Sequence, residues 1–206
     1  GENMYYLSPS MEYSTFSLAE DGNLYLVSPS GLYQKITTDG YYNIGFGKVL
    51  VENGKLFNGW KQVDGVWYYY DPVMLAGDYY YIDDDACYYF DNNGIMKANG
   101  WIPYGSSYLY ADESGRLADG IVNIDGTTYL FNGYSLSYDS YCTVDKTAYV
   151  SDGEAHATQI EYNGWSSANG YWYYTEDGYV QIGNLSLEDG YYFLDYETGR
   201  MISNTE

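Results

Sequence analysis

Turn-forming glycines recur along the chain with an aromatic residue three positions on: Gly22 leads to Tyr25, Gly65 to Tyr68, Gly105 to Tyr108, Gly126 to Tyr129, Gly170 to Tyr173 and Gly190 to Phe193. Weaker units fill the gaps, Ala86 leading to Tyr89, Lys146 to Tyr149, and Gly40 opening a distorted unit with Tyr41 and Tyr42. A repeat of roughly 20 residues is the signature of an array of small supersecondary units. A second glycine commonly follows, as in Gly105 to Gly115-Arg116-Leu117 and Gly190 to Gly199-Arg200-Met201. Each unit therefore reads as turn, aromatic strand, turn and short apolar strand, a β-hairpin with glycine where φ must be positive.

One hairpin alone is marginal in water, so successive hairpins must bury an aromatic face against each other. The pattern predicts an all-β fold, a solenoid of about nine degenerate β-hairpin repeats. The period of two sorts the aromatics: in Val66–Tyr70, Trp67 and Tyr69 share one face and Tyr68 and Tyr70 the other. Tyr68 and its equivalents are the core candidates, which leaves Trp67 and Tyr69 facing outward. Residues 1–20 do not fit the unit and are expected to be an N-terminal cap or linker, with the array spanning 21–206. The insertion at 71–86 is expected to lift a flap beside Trp67. The irregular stretch at 132–160 is expected to divide the array into two lobes, 21–131 and 132–206.

Composition supports strands over helices, with 31 Tyr and 24 Gly in 206 residues and no Leu- or Ala-rich stretch of helical period. The formal charge is −21, from 29 acidic against 8 basic residues. Such a surface repels phosphate backbones and anionic lipid, so nucleic acid and membrane-surface partners are disfavoured. A cation or a neutral polyol remains compatible, and solubility alone would also account for the charge. No run of about 18 apolar residues exists, so no membrane insertion is expected. The start at Gly1-Glu2-Asn3 and the composition suggest a segment of a larger multidomain protein, secreted or displayed on the cell surface. The two cysteines, Cys87 and Cys142, allow either one bridge or two free thiols.

Gly59-Trp60 through Asp64-Gly65-Val66-Trp67-Tyr68-Tyr69, its thinner copy Gly164-Trp165 through Gly170-Tyr171-Trp172-Tyr173-Tyr174, and Tyr88-Tyr89-Phe90-Asp91 through Gly100-Trp101 carry a resemblance. Over roughly residues 21–202 the chain resembles the cell-wall and glucan-binding repeat superfamily. That superfamily includes choline-binding repeats, the glucan-binding repeats of glucansucrases and the receptor-binding repeats of large clostridial toxins. The resemblance implies a solenoid of β-hairpins with ligands held between consecutive hairpins against exposed aromatics. It matches Trp60 with Trp67, and Trp165 with Trp172, to the paired tryptophan walls of a choline-binding box, the third wall coming from the following repeat. After Trp101 the second tryptophan is missing. In its acidity, tyrosine content and two-part build the chain is also similar to starch-binding modules of the extracellular starch-degrading complexes of gut anaerobes.

Exposed Trp and Tyr rings suit the apolar faces of pyranoses, and neighbouring polar groups can bond the hydroxyls. The ligand-binding candidates are Trp60, Trp67, Tyr69, Trp101, Lys61, Lys97, Trp165, Trp172 and Tyr174. Two separated sites raise apparent affinity for a polymer. The expected function is non-catalytic binding of an extracellular polysaccharide, an α-glucan such as starch. The alternative is a choline-binding cell-wall anchor using cation–π attraction, and a structural adhesin or spacer ranks below both. The run Asp83-Asp84-Asp85 lacks the spacing of a calcium loop, His156 stands alone, and no motif marks a nucleophile or phosphate loop. No enzyme activity, metal or cofactor is expected, and a glycosidase built on two of the many carboxylates is a distant third reading.

Overall fold

Two-residue turns with positive φ set the architecture. Asp64-Gly65 has φ of 50° and 83°, Asp125-Gly126 50° and 86°, and Asn169-Gly170 54° and 80°. Both central residues in the left-handed region make the turn whose twist matches that of paired strands, and each of these turns joins two antiparallel strands.

The computed structural model describes residues 15–27, 33–45, 47–83 and 86–202. Among them the fold is all-β, with nine antiparallel hairpins in chain order. The first pairs Thr15–Leu18 with Leu24–Val27, the second Gly40–Asn43 with Lys48–Glu52, and the third Gly59–Val63 with Val66–Asp71. The fourth pairs Asp78–Asp83 with Ala86–Phe90 across a register shift, the fifth Gly100–Tyr104 with Ser107–Ala111, and the sixth Gly120–Ile124 with Thr127–Asn132. The seventh pairs Tyr141–Val144 with Thr147–Ser151, the eighth Gly164–Ala168 with Tyr171–Glu176, and the ninth Gly183–Leu187 with Gly190–Leu194. No helix long and apolar enough to cross a membrane occurs among the described residues.

The main hairpin of each unit differs from the expected one. The aromatic strand pairs chiefly with the strand before its turn, and the short apolar segment after it adds a brief third strand, as at Ser135–Leu136 and Tyr179–Val180. In other units the third strand shrinks to a single bridge, Ala111 to Leu117 or Leu194 to Met201. An aspartate fixes this second turn. Asp91 Oδ1 accepts from the backbone N–H of Asn93 and Ile95, Asp112 from Ser114 and Arg116, Asp152 from Glu154 and His156, and Asp195 from Glu197 and Thr198. Part of the acidic composition is thus committed to turn geometry.

The core column also differs from the expected one. Tyr68 is half-buried, whereas Tyr70, two residues further on, is 2% exposed. Tyr108 and Phe193 lie on the exposed face. The glycines used to count the offset do not occupy one place in the turn. Gly65, Gly126 and Gly170 are second turn residues, Gly105 is a first, and Gly190 already pairs with Leu187 inside the strand. A one-residue slip moves a side chain to the other face.

The chain forms two compact units, divided between Lys97 and Ala98. The lobe boundary expected at 131–132 falls inside the second unit. In the first, Leu24, Ile44, Val49, Val51 and Leu56 form one core cluster and Ala86, Tyr88 and Phe90 another. The expected flap at 71–86 is instead part of the sheets: Val73–Met74 pairs with both the second and third hairpins, and Asp78–Asp83 opens the fourth. Of the expected cap, Thr15–Leu18 forms a strand, and residues 1–14 lie outside the described residues, as do Asp84 and Asp85.

In the second unit the stretch expected to be irregular, 132–160, contains the regular seventh hairpin. Its turn is Asp145-Lys146, with φ of 49° and 60°, so the turn persists although lysine replaces glycine. Buried hydroxyls in this unit are satisfied, Thr175 donating to the Glu161 carbonyl and Ser151 to that of Ser137. Gly178 must be glycine on two counts: its φ is +79°, and a Cβ there would lie 2.0 Å from the Lys146 carbonyl oxygen.

Candidate functional site

Each Gly-Trp strand opening puts an indole on the hairpin face that the next hairpin covers. Trp60 lies across from Tyr69 in the strand register, and their ring centroids are 5.1 Å apart. From the fourth hairpin come Tyr88, at 4.9 Å, and Phe90, at 5.9 Å. The same group recurs in the second unit. Trp101 meets Tyr110 and Tyr129 at 5.1 Å each and stacks on Phe131 at 6.0 Å. Trp165 meets Tyr174 at 5.1 Å and Tyr192 at 4.8 Å. Edge-on contacts of this geometry are favourable, so each indole joins one hairpin to the next as well as offering a surface.

Beside Trp60, Trp67 projects from the same face, 40% exposed, and the two rings stand 6.2 Å apart at 89°. The pair forms a two-walled corner. Met96 is tied to Trp67 through the backbone: its N–H donates to the Trp67 carbonyl at 2.9 Å, and its side chain packs against the buried cluster of Ala86, Tyr88 and Phe90, as those of Trp60 and Tyr69 do. The strand register supplies the equivalent of Trp67 elsewhere. It is Trp172 in the eighth hairpin, 49% exposed, and Tyr108 in the fifth, 45% exposed. Tyr108 was missed as a site residue because the sequence pattern sought a second tryptophan; the pairing of Pro103 with Tyr108 places it.

The remaining candidates fall differently. Lys61 alternates to the face opposite Trp60, where its ammonium pairs with Glu52 and lies 5.4 Å from the Phe57 ring centroid. Lys97 pairs with Asp91 at 2.7 Å. Burial alone would raise the Asp91 carboxyl, but the Lys97 ammonium and the Ile95 and Asn93 N–H groups outweigh it and hold it below the usual range. Tyr69 and Tyr174 are half-buried beneath their tryptophans. His156 has its Nδ1 3.3 Å from Asp152 Oδ2, and its ring packs 5.4 Å from that of Tyr129.

The Trp172 surroundings are unlike the Trp67 corner. Trp172 borders an open groove of about 660 Å³ formed with the turn at 195–202. The Met201 N–H donates to the Trp172 carbonyl, as Met96 does to Trp67. Arg200 enters this groove with its guanidinium carbon 3.9 Å from the Tyr171 ring centroid, and it bonds Asp139 and the Tyr173 hydroxyl.

No protein-family model matches the chain, and no curated protein does. Solved structures do. Choline binding protein F from Streptococcus pneumoniae is 18% identical, with 89% of this chain and 71% of that one covered and a TM-score of 0.51. The same protein in the presence of a peptidoglycan analogue, a tetrasaccharide-pentapeptide, is 18% identical over the same shares with a TM-score of 0.50. The choline binding domain of Spr1274 from Streptococcus pneumoniae is 34% identical across 39% of this chain and 95% of its own, with a TM-score of 0.35. At a TM-score of 0.5 and identity this low the likeness establishes the fold.

Proposed function

We propose that this chain, which has the fold of the choline-binding-like β-hairpin repeat superfamily, is a non-catalytic module of the cell surface that holds a quaternary ammonium group in the corner of Trp60 and Trp67. The observation that carries this is the 89° between their rings. A pyranose chain stacks on broad aromatic faces, whereas perpendicular walls present two electron-rich faces to one compact, rounded cation. Tyr88 from the next hairpin closes on Trp60, and Met96 packs against the same apolar cluster. The formal charge of −21 draws a cation in.

The two solved structures given above with a TM-score of 0.5 or more are both of one choline-binding protein, which supports choline over the α-glucan expected from the sequence. The physiological partner on this reading is a wall polysaccharide bearing choline. Trp101 and Tyr108 hold the equivalent strand positions in the fifth hairpin, and a second weak site there would raise apparent affinity for one polymer. Calorimetric titration with choline tests the reading. Heat that falls in Trp67→Ala supports it; no heat with choline, alongside maltoheptaose heat that Trp67→Ala abolishes, returns the site to glucan.

A further inference from the structure

The groove beside Trp172 calls for a ligand of another kind. Three features of it are fixed by the second unit alone. Its lining includes an apolar set, the exposed indole of Trp172 with Met201 and Ile202. Its lining also carries charges of both signs, Glu197 and Arg200, with Thr198 between them in the chain. And one aromatic face is already taken, because the Arg200 guanidinium lies 3.9 Å above Tyr171, anchored by Asp139 and by the Tyr173 hydroxyl at 3.3 Å.

We propose that this groove is a carbohydrate subsite for a neutral pyranose chain, separate from the quaternary ammonium corner, and that Arg200 sets its specificity. A free cation finds the Tyr171 face already filled, and at the Trp172 indole the fixed guanidinium nearby repels a second positive charge. An acidic glycan is opposed by Glu197 and by the charge of −21 over the whole chain. A neutral sugar meets neither penalty. Its C–H face covers the indole, and its hydroxyls, each donor and acceptor at once, use the free N–H groups of Arg200 and the carboxylate of Glu197. Asp195 has one oxygen committed to the turn: its Oδ1 accepts from the Thr198 hydroxyl and backbone N–H and from the Glu197 N–H.

The first unit shows the contrast in its own sequence. The residue before Met96 is Ile95, where the residue before Met201 is Arg200, so the Trp67 corner has no guanidinium at that position. Two chemically distinct sites on one chain follow, one for the charged substituent of a surface polymer and one for its sugar backbone.

The test uses the full chain titrated with maltoheptaose, with N-acetylchitohexaose and with choline, in wild type, Trp67→Ala, Trp172→Ala and Arg200→Gln. Saccharide heat with either oligosaccharide, weakened about tenfold or more by Trp172→Ala and unchanged by Trp67→Ala, is the expected result. Which oligosaccharide gives heat identifies the backbone class. In Arg200→Gln the saccharide weakens and choline gains one additional site per chain, because the Tyr171 face is released. No saccharide heat, saccharide heat indifferent to Trp172→Ala, or choline binding that Trp172→Ala diminishes would each overturn the proposal. Loss of choline heat in Trp67→Ala reports on the corner alone, so the two readings fail separately. Trp172 is an exposed side chain, so its variant keeps the test valid if Arg200→Gln does not fold.

Discussion

Gly59 faces Tyr70 across the third hairpin, and the residue opposite a strand-opening glycine is buried in hairpin after hairpin. Val51 stands opposite Gly40, Ala111 opposite Gly100, Phe131 opposite Gly120, Thr175 opposite Gly164 and Leu194 opposite Gly183. This column carries the core. Phe131 is 1% exposed and packs with Ile124, Leu136 and Ala155. Phe131→Ala should cost about 3–5 kcal/mol, through lost transfer energy and the cavity left behind. Urea denaturation measures it, and a loss near that of a surface substitution would show that the column is not the core.

Trp60 and Trp67 should separate in their effects. Trp60 is wedged among Tyr69, Tyr88 and Phe90, so Trp60→Ala removes packing between two hairpins and lowers the melting temperature. Trp67 is 40% exposed, so Trp67→Ala should leave the melting temperature nearly unchanged while weakening choline by about tenfold or more. Equal loss of stability in both variants would make Trp67 a structural brick.

The hairpin array was legible because turn chemistry is local: Asp-Gly and Asn-Gly pairs and the aromatic run after them determine a strand on either side. The nine units and the opposite faces of Trp67 and Tyr68 could be read from it, while the Trp60–Trp67 pair came from the family resemblance. Burial could not, because it depends on which glycine is the second turn residue, and Gly105 and Gly190 look like Gly65 until the strands are paired. Lys146 shows the converse, a residue without turn character held at φ of 60° by the hairpin around it. Arg200 lay beyond the sequence altogether, since its partner Asp139 is distant in the chain and only the packing of the second unit joins them.

The turn aspartates should make the fold acid-sensitive. Asp91, Asp152 and Asp195 all have carboxyls below the usual range; for Asp195 the Thr198 hydroxyl is the largest cause, while for Asp152 backbone N–H bonds and His156 overcome burial. A carboxyl depressed in the folded state binds its proton more readily when unfolded. Its stabilisation is therefore complete above the unfolded value, about 4, and is lost as pH falls through the folded one. Melting temperature should fall below about pH 4, and Asp91→Asn should be less stable at neutral pH with a shallower acid decline. An unchanged acid limb in Asp91→Asn would remove this carboxylate from the account.

Cys142 should act at the opposite end of the pH range. Cys142 is a free thiol, and burial pushes it up to about 11. At pH 8 roughly one Cys142 in a thousand is then thiolate, so a disulfide reagent should label the native chain slowly at this site and both thiols promptly in denaturant. The sign for stability follows from the same shift. The unfolded thiol ionises near 8.5 and the folded one only near 11, so the unfolded state holds fewer protons between them and stability falls as pH rises through that window. The Tyr70 hydroxyl, which burial pushes up to about 12, adds a decline of its own at higher pH, so the comparison must be with a variant rather than with neutral pH. The difference in melting temperature between wild type and Cys142→Ala should narrow or reverse from pH 8.5 to 11. A constant difference across that window would show that the thiol ionises as readily in the fold as out of it.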